Sequence, residues 1–297
     1  MAQVPLGFYT DTSVCIGCKA CQVACHQWND LPADLAQQPT SDSPGQTNPL
    51  TGDSYDNTGS LTANNWRHVK FIEQINPERT ETAWLMMSDV CKHCVNAPCL
   101  EVCPTGAIIR TEFDTVYIQE PVCNGCRDCI AACPFGVIHI SGIENAGKGT
   151  AKKCTLCYDR LQHNLTPACA QACPTESIQF GPIDELRKRA DARLQQLQGE
   201  GFQKAQLYGS DEKILGGLNS FYLLMDQPEV YGLPANPKLP SRSVLPSSIF
   251  SIGSAIAVGL AALFSFRVRR VNQLHPEETG DGRQETGDRR QEPGAEG

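Results

Sequence analysis

The sequence predicts an α+β fold that is assembled from small repeated units and followed by one apolar helix near the C-terminal end. Three observations lead to this fold class. Sixteen cysteines occur among 297 residues and fall into four groups of four. A short phrase that begins with Cys-Pro recurs as CPTGAI, CPFGVI and CPTESI. Residues 244–266 contain no charged side chain, and about 20 apolar residues suffice to cross a bilayer.

Length, cysteine content and charge exclude two classes of protein. A chain of 297 residues can bury a substantial core, whereas disulfide scaffolds are small and use their bridges to replace a missing core. The formal net charge is −8, and phosphate binding needs clustered Lys and Arg. We therefore expect neither a disulfide framework nor a nucleic-acid partner.

The first cysteine group, Cys15, Cys18, Cys21 and Cys25, lies close to the N-terminus in CIGCKACQVACHQWND. No basic, apolar or twin-arginine segment precedes it, so we expect the chain to carry no export signal of its own. His26 follows the last cysteine where the other groups have proline. Because the cysteine set is already complete, we interpret His26 as a surface or supporting residue.

A long loop and two strands separate the first group from the next. Residues 31–65 are rich in Pro, Gly, Ser, Thr, Asn and Asp without an apolar period, which is typical of a loop. The alternation in Trp66–Ile75 and Ala83–Met87 predicts two strands, joined by a turn at Asn76-Pro77.

Two central groups follow, each closed by Cys-Pro. They consist of Cys91, Cys94, Cys99 and Cys103, and of Cys123, Cys126, Cys129 and Cys133. Three close cysteines with a fourth at a short distance before proline are typical of ferredoxins that hold [4Fe–4S] clusters. The fourth cysteine then ligates the cluster of the partner group, because it lies on the helix that follows and points away.

The recurring phrase predicts a repeated structural unit. Each copy ends a helix at Cys-Pro and leads into a strand, as in the β-α-β unit of a small ferredoxin. After the first copy, Ala107–Arg110 and Val116–Gln119 are predicted to form two short strands around a polar turn.

The last group consists of Cys154, Cys157, Cys169 and Cys173, and it has a longer segment between its second and third cysteines than the other groups have. Two C-x-x-C pairs separated by a loop are also typical of zinc ribbons. The three groups with ferredoxin spacing favour a cluster here too, so the sequence predicts four [4Fe–4S] clusters. The spacing leaves open which groups share ligands.

The C-terminal third predicts a docking helix, a strap and a membrane helix. Apolar residues at steps of three and four predict a helix from Ile183 to Gly199. Phe221–Met225 is predicted to be a strand, and Leu233–Pro246 an extended strap. Residues 244–266 are predicted to span a membrane, and residues 267–297 to form a polar, disordered tail.

Charged residues beside the apolar segment indicate its orientation. Arg267, Arg269 and Arg270 follow it directly, and basic residues favour the cytoplasmic side. We therefore expect the C-terminus in the cytoplasm and the cluster domain on the extracytoplasmic side.

The sequence lacks the motifs of a substrate site. It contains no Walker loop, dinucleotide fingerprint or nucleophile elbow, and we expect no catalytic residue and no small-molecule substrate on this chain. We interpret the lone histidines as structural rather than haem ligands: His68, His93, His139 and His163. His93 lies inside a cluster loop, where we expect it to hydrogen-bond a sulfur.

Together these features resemble the iron–sulfur beta subunit of membrane-bound respiratory formate dehydrogenases, within the wider family of electron-transfer subunits of molybdopterin oxidoreductases. The resemblance runs from Thr10 to Arg270. It is carried by CIGCKACQVACHQWND, by the order of the four groups, by LRKRADARLQQL, by DQPEVYGLP and by the single C-terminal helix. His26 and the acidic tail have no counterpart in the family pattern.

The resemblance implies two ferredoxin-like halves, one inserted in the other. The implied domains are 1–90 and 146–182 for the split half, 91–145 for the inserted half, 183–243 for the docking helix and strap, 244–266 for the transmembrane helix and 267–297 for the tail. The implied ligand sets are Cys15, Cys18, Cys21 and Cys173; Cys154, Cys157, Cys169 and Cys25; Cys91, Cys94, Cys99 and Cys133; and Cys123, Cys126, Cys129 and Cys103.

The resemblance also implies partners and a direction of flow. A catalytic subunit with a molybdenum or tungsten bis-pterin cofactor would bring the export signal and deliver electrons from formate. A membrane cytochrome b subunit would pass them to a quinone.

A subunit of a hydrogenase, a polysulfide or dimethyl-sulfoxide-type reductase, or a carbon dioxide reductase uses the same chemistry. No cysteine is replaced by tryptophan, which argues against nitrate reductase, and a zinc-stapled scaffold is the alternative from another class.

Overall fold

A computed structural model of the chain describes residues 4–32, 56, 58–75, 78, 82–141 and 149–274. The chain divides into two compact units, Met1–Ser243 and Val244–Gly297. The boundary between the units coincides with the predicted start of the apolar segment.

Ten strands and six helices form the described part of the first unit. The strands are β1 (Leu6–Asp11), β2 (Arg67–Ile75), β3 (Thr82–Val90), β4 (Ile108–Arg110), β5 (Val116–Ile118), β6 (His139–Ser141), β7 (Thr150–Lys152), β8 (Ile178–Pro182), β9 (Gln206–Tyr208) and β10 (Ser220–Leu224). The helices are α1 (Ala20–Trp28), α2 (Pro98–Glu101), α3 (Asp128–Ala132), α4 (Tyr158–Gln162), α5 (Ala168–Gln171) and α6 (Ile183–Gly199). Short 3-10 turns cover Thr12–Val14, Glu120–Val122 and Pro228–Tyr231.

A four-stranded sheet in the order β8-β1-β10-β9 joins distant parts of the chain. Strand β1 runs antiparallel to β8 and parallel to β10. The sequence did not predict β1, because Phe8 to Asp11 are all buried and a strand covered on both faces lacks alternation. Inside the sheet the ring of Tyr9 stacks on that of Phe221 with centroids 5.4 Å apart.

The predicted helix Ile183–Gly199 is confirmed as α6, with the same first and last residues. Four of its apolar side chains are buried: Ile183, Leu186, Ala190 and Leu197. The helix packs on β1, β8 and β9. Its function in the fold is therefore to cover the four-stranded sheet.

The two predicted strands before Cys91 form the long hairpin β2–β3. The pairing runs in register from Arg67 opposite Val90 to Ile75 opposite Thr82. Strand β3 is longer than predicted and continues to Val90. The predicted turn at Asn76-Pro77 and most of the predicted loop 31–65 lie outside the described residues.

The repeated phrase produces the predicted helix and strand three times. Helices α2, α3 and α5 each end shortly before a Cys-Pro pair, and each pair is followed by a strand, respectively β4, β6 and β8. Strands β4 and β6 form small hairpins with β5 and β7, whereas β8 joins the four-stranded sheet. The same local sequence thus supports two different sheet environments.

In the second unit, the described residues belong to helix α7, which covers Ser241–Leu274. Within it, Phe250–Arg270 is long and apolar enough to cross a membrane, and it is the one such helix in the described part of the chain. The helix exceeds the predicted bounds 244–266 at both ends. The helix continues through Pro246, although proline disfavours the helical conformation of the residue before it. It also includes residues 267–274, among which no Gly or Pro ends the helix.

Candidate metal centres

All sixteen cysteines lie in described parts of the chain and are free thiols. They converge in four sets, which we number by their order in space. Site 1 consists of Cys15, Cys18, Cys21 and Cys173; site 2 of Cys25, Cys154, Cys157 and Cys169; site 3 of Cys91, Cys94, Cys99 and Cys133; and site 4 of Cys103, Cys123, Cys126 and Cys129.

Sites 1, 3 and 4 are cavities, and each is lined by its four cysteines. Their empty volumes are nearly equal, about 300, 310 and 320 Å³. In each cavity three cysteines come from one sequence group and the fourth comes from another. Equal donor sets fit one kind of occupant at all three positions.

Site 2 is recognised by the mutual proximity of its thiols, which are all buried. Burial raises the pKa of the Cys25 thiol well above its usual range, and repulsion from Cys154, Cys169 and Cys157 raises it further. Burial also raises the pKa of Cys157 to about 12, again with contributions from Cys169 and Cys154. Cys25 therefore lies with the cysteines of the last group rather than with its own.

Left-handed backbone conformations shape the loops of sites 1 and 4 in the same way. Gly17 and Lys19 have φ of 66° and 61°, and Gly125 and Arg127 both have φ of 71°. Glycine adopts such values without strain. In both loops these residues flank the second cysteine, so the chain curls around it and turns the three thiols of the loop toward one cavity.

Backbone N–H groups donate to two of the cysteine sulfurs. The amide of Leu156 lies 3.3 Å from Cys154 Sγ, and that of Ala151 lies 3.5 Å from Cys123 Sγ. Hydrogen bonds of this kind favour the charged thiolate, which is the form that binds a metal. The chain therefore prepares these sulfurs as ligands.

Proximity between thiols of neighbouring sites orders the four sets in a line. The thiol of Cys21 in site 1 interacts with Cys169 in site 2, and Cys154 in site 2 interacts with Cys91 in site 3. The line ends with Cys99 of site 3 beside Cys129 of site 4.

Exposure distinguishes the ends of this line from its middle. Cys18 of site 1 and Cys126 of site 4 are exposed. In site 2 all four cysteines are buried, and in site 3 three of the four are buried, with Cys133 half-buried. The two terminal sites therefore reach the surface of the first unit and the two middle sites lie inside it.

Buried cations accompany the sites. Lys92 is part of the wall of site 3 and donates to Asp89 and to the hydroxyl of Tyr222. Lys153 donates to the carbonyl oxygens of Val116 and Cys154. Burial raises the pKa of Cys99 to about 12, but Lys153 acts in the opposite direction and favours the thiolate.

His93 lies in the wall of the site 3 cavity. It is fully buried, and its Nδ1 accepts a hydrogen bond from the amide of Val116 at 3.1 Å. Burial lowers its pKa well below the usual range, assisted by Lys153, Arg110 and Arg67, so the ring is neutral. Its Nε2 has no hydrogen-bond partner among the described residues, so the hydrogen bond from His93 to a sulfur stays a prediction.

The other predicted histidines have ordinary neighbours. His26 contacts the carbonyl oxygen of Pro32 at 3.2 Å on the surface. His68 contacts the hydroxyl of Thr58 at 3.0 Å, and His163 contacts the carbonyl oxygen of Asp159 at 2.8 Å. These contacts support a structural role for the histidines.

The cysteine geometry fits a cluster better than a single ion. A zinc site brings its ligand atoms to about 2.0–2.3 Å from one point. Within the described ranges, no group of three or more His, Cys, Asp or Glu side chains converges so closely. The cysteines instead surround cavities, as thiolates do around a cuboidal [4Fe–4S] cluster, so the residues present fit that group.

Spacing identified the sixteen cysteines but not the buried residues around them. Lys92 and Lys153 are adjacent to cysteines in sequence, and that adjacency could have identified them. Arg67 and Ser88 stand in the hairpin β2–β3, outside every cysteine group, and no local pattern marks them.

Comparisons with known proteins agree with this chemistry. Two family models, both described as 4Fe-4S dicluster domain, match residues 14–107 and 82–183. The formate dehydrogenase iron-sulfur subunit of Haemophilus influenzae is 37% identical over 265 residues, which cover 88% of this chain and 78% of the relative.

Two proteins of Escherichia coli show how far the similarity extends. The iron-sulfur subunit of nitrate-inducible formate dehydrogenase is 38% identical over 233 residues, covering 77% of this chain and 72% of the relative. The B subunit of anaerobic dimethyl sulfoxide reductase is 35% identical over 183 residues, covering 62% of this chain and 76% of the relative.

Proposed function

The protein belongs to the family of formate dehydrogenase iron–sulfur subunits and is an electron-transfer subunit with [4Fe–4S] clusters, and we propose that it holds four of them in a line. The observation that carries this proposal is the convergence of the cysteines in four sets of four. When bound, such a cluster supplies a centre that takes up and releases one electron.

The proposed ligands are the four cysteines of each site. In every set the fourth cysteine comes from another sequence group: Cys173 at site 1, Cys25 at site 2, Cys133 at site 3 and Cys103 at site 4. The three lined cavities and the proximity of Cys25 to Cys154, Cys157 and Cys169 support this assignment. By the same assignment, sites 3 and 4 form an inserted ferredoxin-like half.

The burial of the sites supports a path with one entrance and one exit. Sites 1 and 4 reach the surface through Cys18 and Cys126, whereas the middle sites are enclosed. Enclosure excludes water and side reactions from the middle of the path. We therefore assign sites 1 and 4 to contacts with other subunits and sites 2 and 3 to internal transfer.

The relatives are named as subunits of formate dehydrogenase, which implies a catalytic subunit as partner. We propose that this partner carries a molybdenum or tungsten bis-pterin cofactor and that the acceptor is a membrane cytochrome b that reduces a quinone. We further propose that α7 anchors the chain in the membrane with Arg267, Arg269 and Arg270 on the cytoplasmic side.

A second candidate is the corresponding subunit of a dimethyl-sulfoxide-type reductase. Its relative covers 62% of this chain, whereas the Haemophilus relative covers 88%. The greater coverage favours the formate dehydrogenase assignment, since it includes more of the sequence outside the cysteine groups.

The complex purified anaerobically with this subunit tests the proposal. We expect at least about sixteen iron and sixteen acid-labile sulfide per copy of this chain, the contribution of four clusters, and formate oxidation coupled to reduction of a quinone analogue. Stoichiometric zinc without iron would support a scaffold instead. Reduction of dimethyl sulfoxide without formate oxidation would support the second candidate.

A further inference from the structure

Arg67, the first residue of β2, is a fully buried arginine between sites 1 and 2. The sulfurs that interact with its guanidinium are those of Cys21 in site 1 and of Cys169 and Cys154 in site 2. The face of the Phe8 ring covers the group at 5.0 Å. Its position is therefore enclosed by cysteines of both sites and by one aromatic ring.

Ser88 on the neighbouring strand β3 fixes the guanidinium. Arg67 Nη1 donates to Ser88 Oγ at 2.9 Å, and the same oxygen lies 3.2 Å from Cys21 Sγ. The side chain is thus held by one neutral hydroxyl, which also contacts a proposed cluster ligand.

The other guanidinium donors have no protein acceptor in the described part of the chain. Nε and Nη2 are buried and have no hydrogen-bond partner among the described residues. A buried donor without a partner is unfavourable, and more so when it is charged. The guanidinium of an arginine keeps its positive charge in proteins, so the buried group stays charged.

We propose that Arg67 is a positioning residue that donates hydrogen bonds from Nε and Nη2 to sulfur atoms of the clusters at sites 1 and 2 and raises both reduction potentials. The inference rests on the proposed function, because it assumes clusters at these two sites. The proposal explains why a charged guanidinium with several donors is buried at a place where the described residues provide one acceptor, the hydroxyl of Ser88.

Electrostatics gives the sign of the effect. One-electron reduction of a cluster adds one negative charge, and a nearby buried cation stabilises the reduced state. Hydrogen bonds to the sulfurs act in the same direction, since they too favour added negative charge. Arginine suits the position better than lysine, because its planar fork presents several donors in fixed directions and remains charged.

The test is Arg67→Met in the purified full-length complex, with each cluster followed by electron paramagnetic resonance during a redox titration. Cys18→Ser and Cys126→Ser assign the signals of sites 1 and 4. We expect the reduction equilibrium of the site 1 and site 2 clusters to fall at least about tenfold, equal to about 59 mV for one electron. The clusters at sites 3 and 4 should keep their potentials.

Arg189→Met is the matched control. It removes the same charge from an exposed arginine on α6, which pairs with Glu185 at 3.8 Å on the surface, and it should leave all four potentials unchanged. Shifts at sites 1 and 2 no larger than in this control, or equal shifts at all four sites, would overturn the proposal.

Arg67→Lys provides the second variant if Arg67→Met loses iron. It keeps the charge but not the planar set of donors, so we expect a full iron content and potentials of the site 1 and site 2 clusters below those of the wild type. Iron loss from Arg67→Lys as severe as from Arg67→Met would indicate that Arg67 serves packing. Wild-type potentials in Arg67→Lys would show that hydrogen bonds from the planar guanidinium do not set the potentials. Either result would overturn the inference. Four clusters in the unaltered complex would show independently that the proposed function holds.

Discussion

At the scale of single residues, buried charges in the first unit are placed in pairs or beside the cysteines. Asp89 accepts from Lys92, which is fully buried, and from Lys70 at 2.9 Å. Burial by itself would raise the pKa of Asp89, but the two lysines outweigh it and lower the pKa to about 2. The carboxylate therefore compensates a cation that also lines site 3.

Asp89→Asn should destabilise the chain strongly, because it leaves Lys92 buried without its counter-charge. Breaking a buried pair in this way costs about 3–5 kcal/mol. The measurement is the temperature at which the visible cluster absorbance is lost, which should fall well below that of the wild type. Asp211→Asn is the control, since it breaks an exposed pair with Lys213 and should have almost no effect. Equal behaviour of the two variants would contradict the assigned role of Asp89.

Cys133→Ser tests whether ligands cross between sites. Cys133 belongs to the third sequence group but lines the site 3 cavity with Cys91, Cys94 and Cys99. A serine there should alter or remove the electron paramagnetic resonance signal of the site 3 cluster and leave that of site 4.

The reciprocal variant is Cys103→Ser, because Cys103 belongs to the second group but lines site 4. It should affect site 4 and leave site 3. If each substitution instead affected the cluster of its own sequence group, the crossed assignment would be wrong.

Residue-level prediction is strongest where the chemistry imposes a local spacing. Cluster-binding loops need cysteines at short fixed intervals, so the sequence indicates all sixteen. The hydrogen bond from His93 to a sulfur stays a prediction, because its Nδ1 accepts from the amide of Val116 and its Nε2 has no partner among the described residues. Arg67 was not predicted, since its neighbours Cys21, Cys154 and Cys169 come together only after folding.

At the scale of elements, the central strand β1 depends on a close approach to its neighbours. A Cβ added to Gly7 would overlap with the carbonyl oxygen of Asn219 and with Ile183 Cδ1. The amide of Phe8 donates to the same Asn219 oxygen at 2.8 Å. Gly7 therefore allows β1 to pair with the segment that leads into β10 and to pack under α6.

Gly7→Ala should destabilise the four-stranded sheet by about 3 kcal/mol, the upper part of the usual range for overpacking. Gly181 is the matched control, because it is the partner of Gly7 in the β1–β8 register and an added Cβ would meet nothing within 4 Å. Gly181→Ala should be neutral or stabilise by about 0.4–1 kcal/mol. Thermal loss of the clusters and the yield of folded protein measure both effects, and equal tolerance of the two changes would contradict this packing.

Elements with strong periodicity or repetition were predictable and short buried strands were not. Helix α6 has an apolar stripe along its whole length, and its predicted bounds were correct. Strands β1, β7 and β9 were missed, because β1 has no alternation and β7 and β9 have three residues each. The prediction also began the C-terminal helix too late, at Val244 instead of Ser241, since it relied on the absence of charged residues.

At the scale of the whole molecule, the division into two units separates the cysteine-bearing part from the apolar helix. All sixteen cysteines lie in the unit Met1–Ser243. In the described part of α7, large apolar side chains are exposed, among them Phe250 at 78% and Val258 at 71%. A surface of this kind needs a lipid or protein cover, because large exposed apolar patches mark interaction sites.

Truncation after Pro240 should therefore release the protein from the membrane without loss of its clusters. The truncated form lacks α7 but keeps all sixteen cysteines and the four-stranded sheet. We expect it in the soluble fraction after cell lysis, with the iron content and the electron paramagnetic resonance spectrum of the full-length form. Truncation after Leu274 is the control, since it removes only residues 275–297 and should leave the protein in the membrane. A full-length protein that is already soluble without detergent would contradict the membrane anchor, and loss of iron from the form truncated after Pro240 would show that the helix contributes to the stability of the cluster-binding unit.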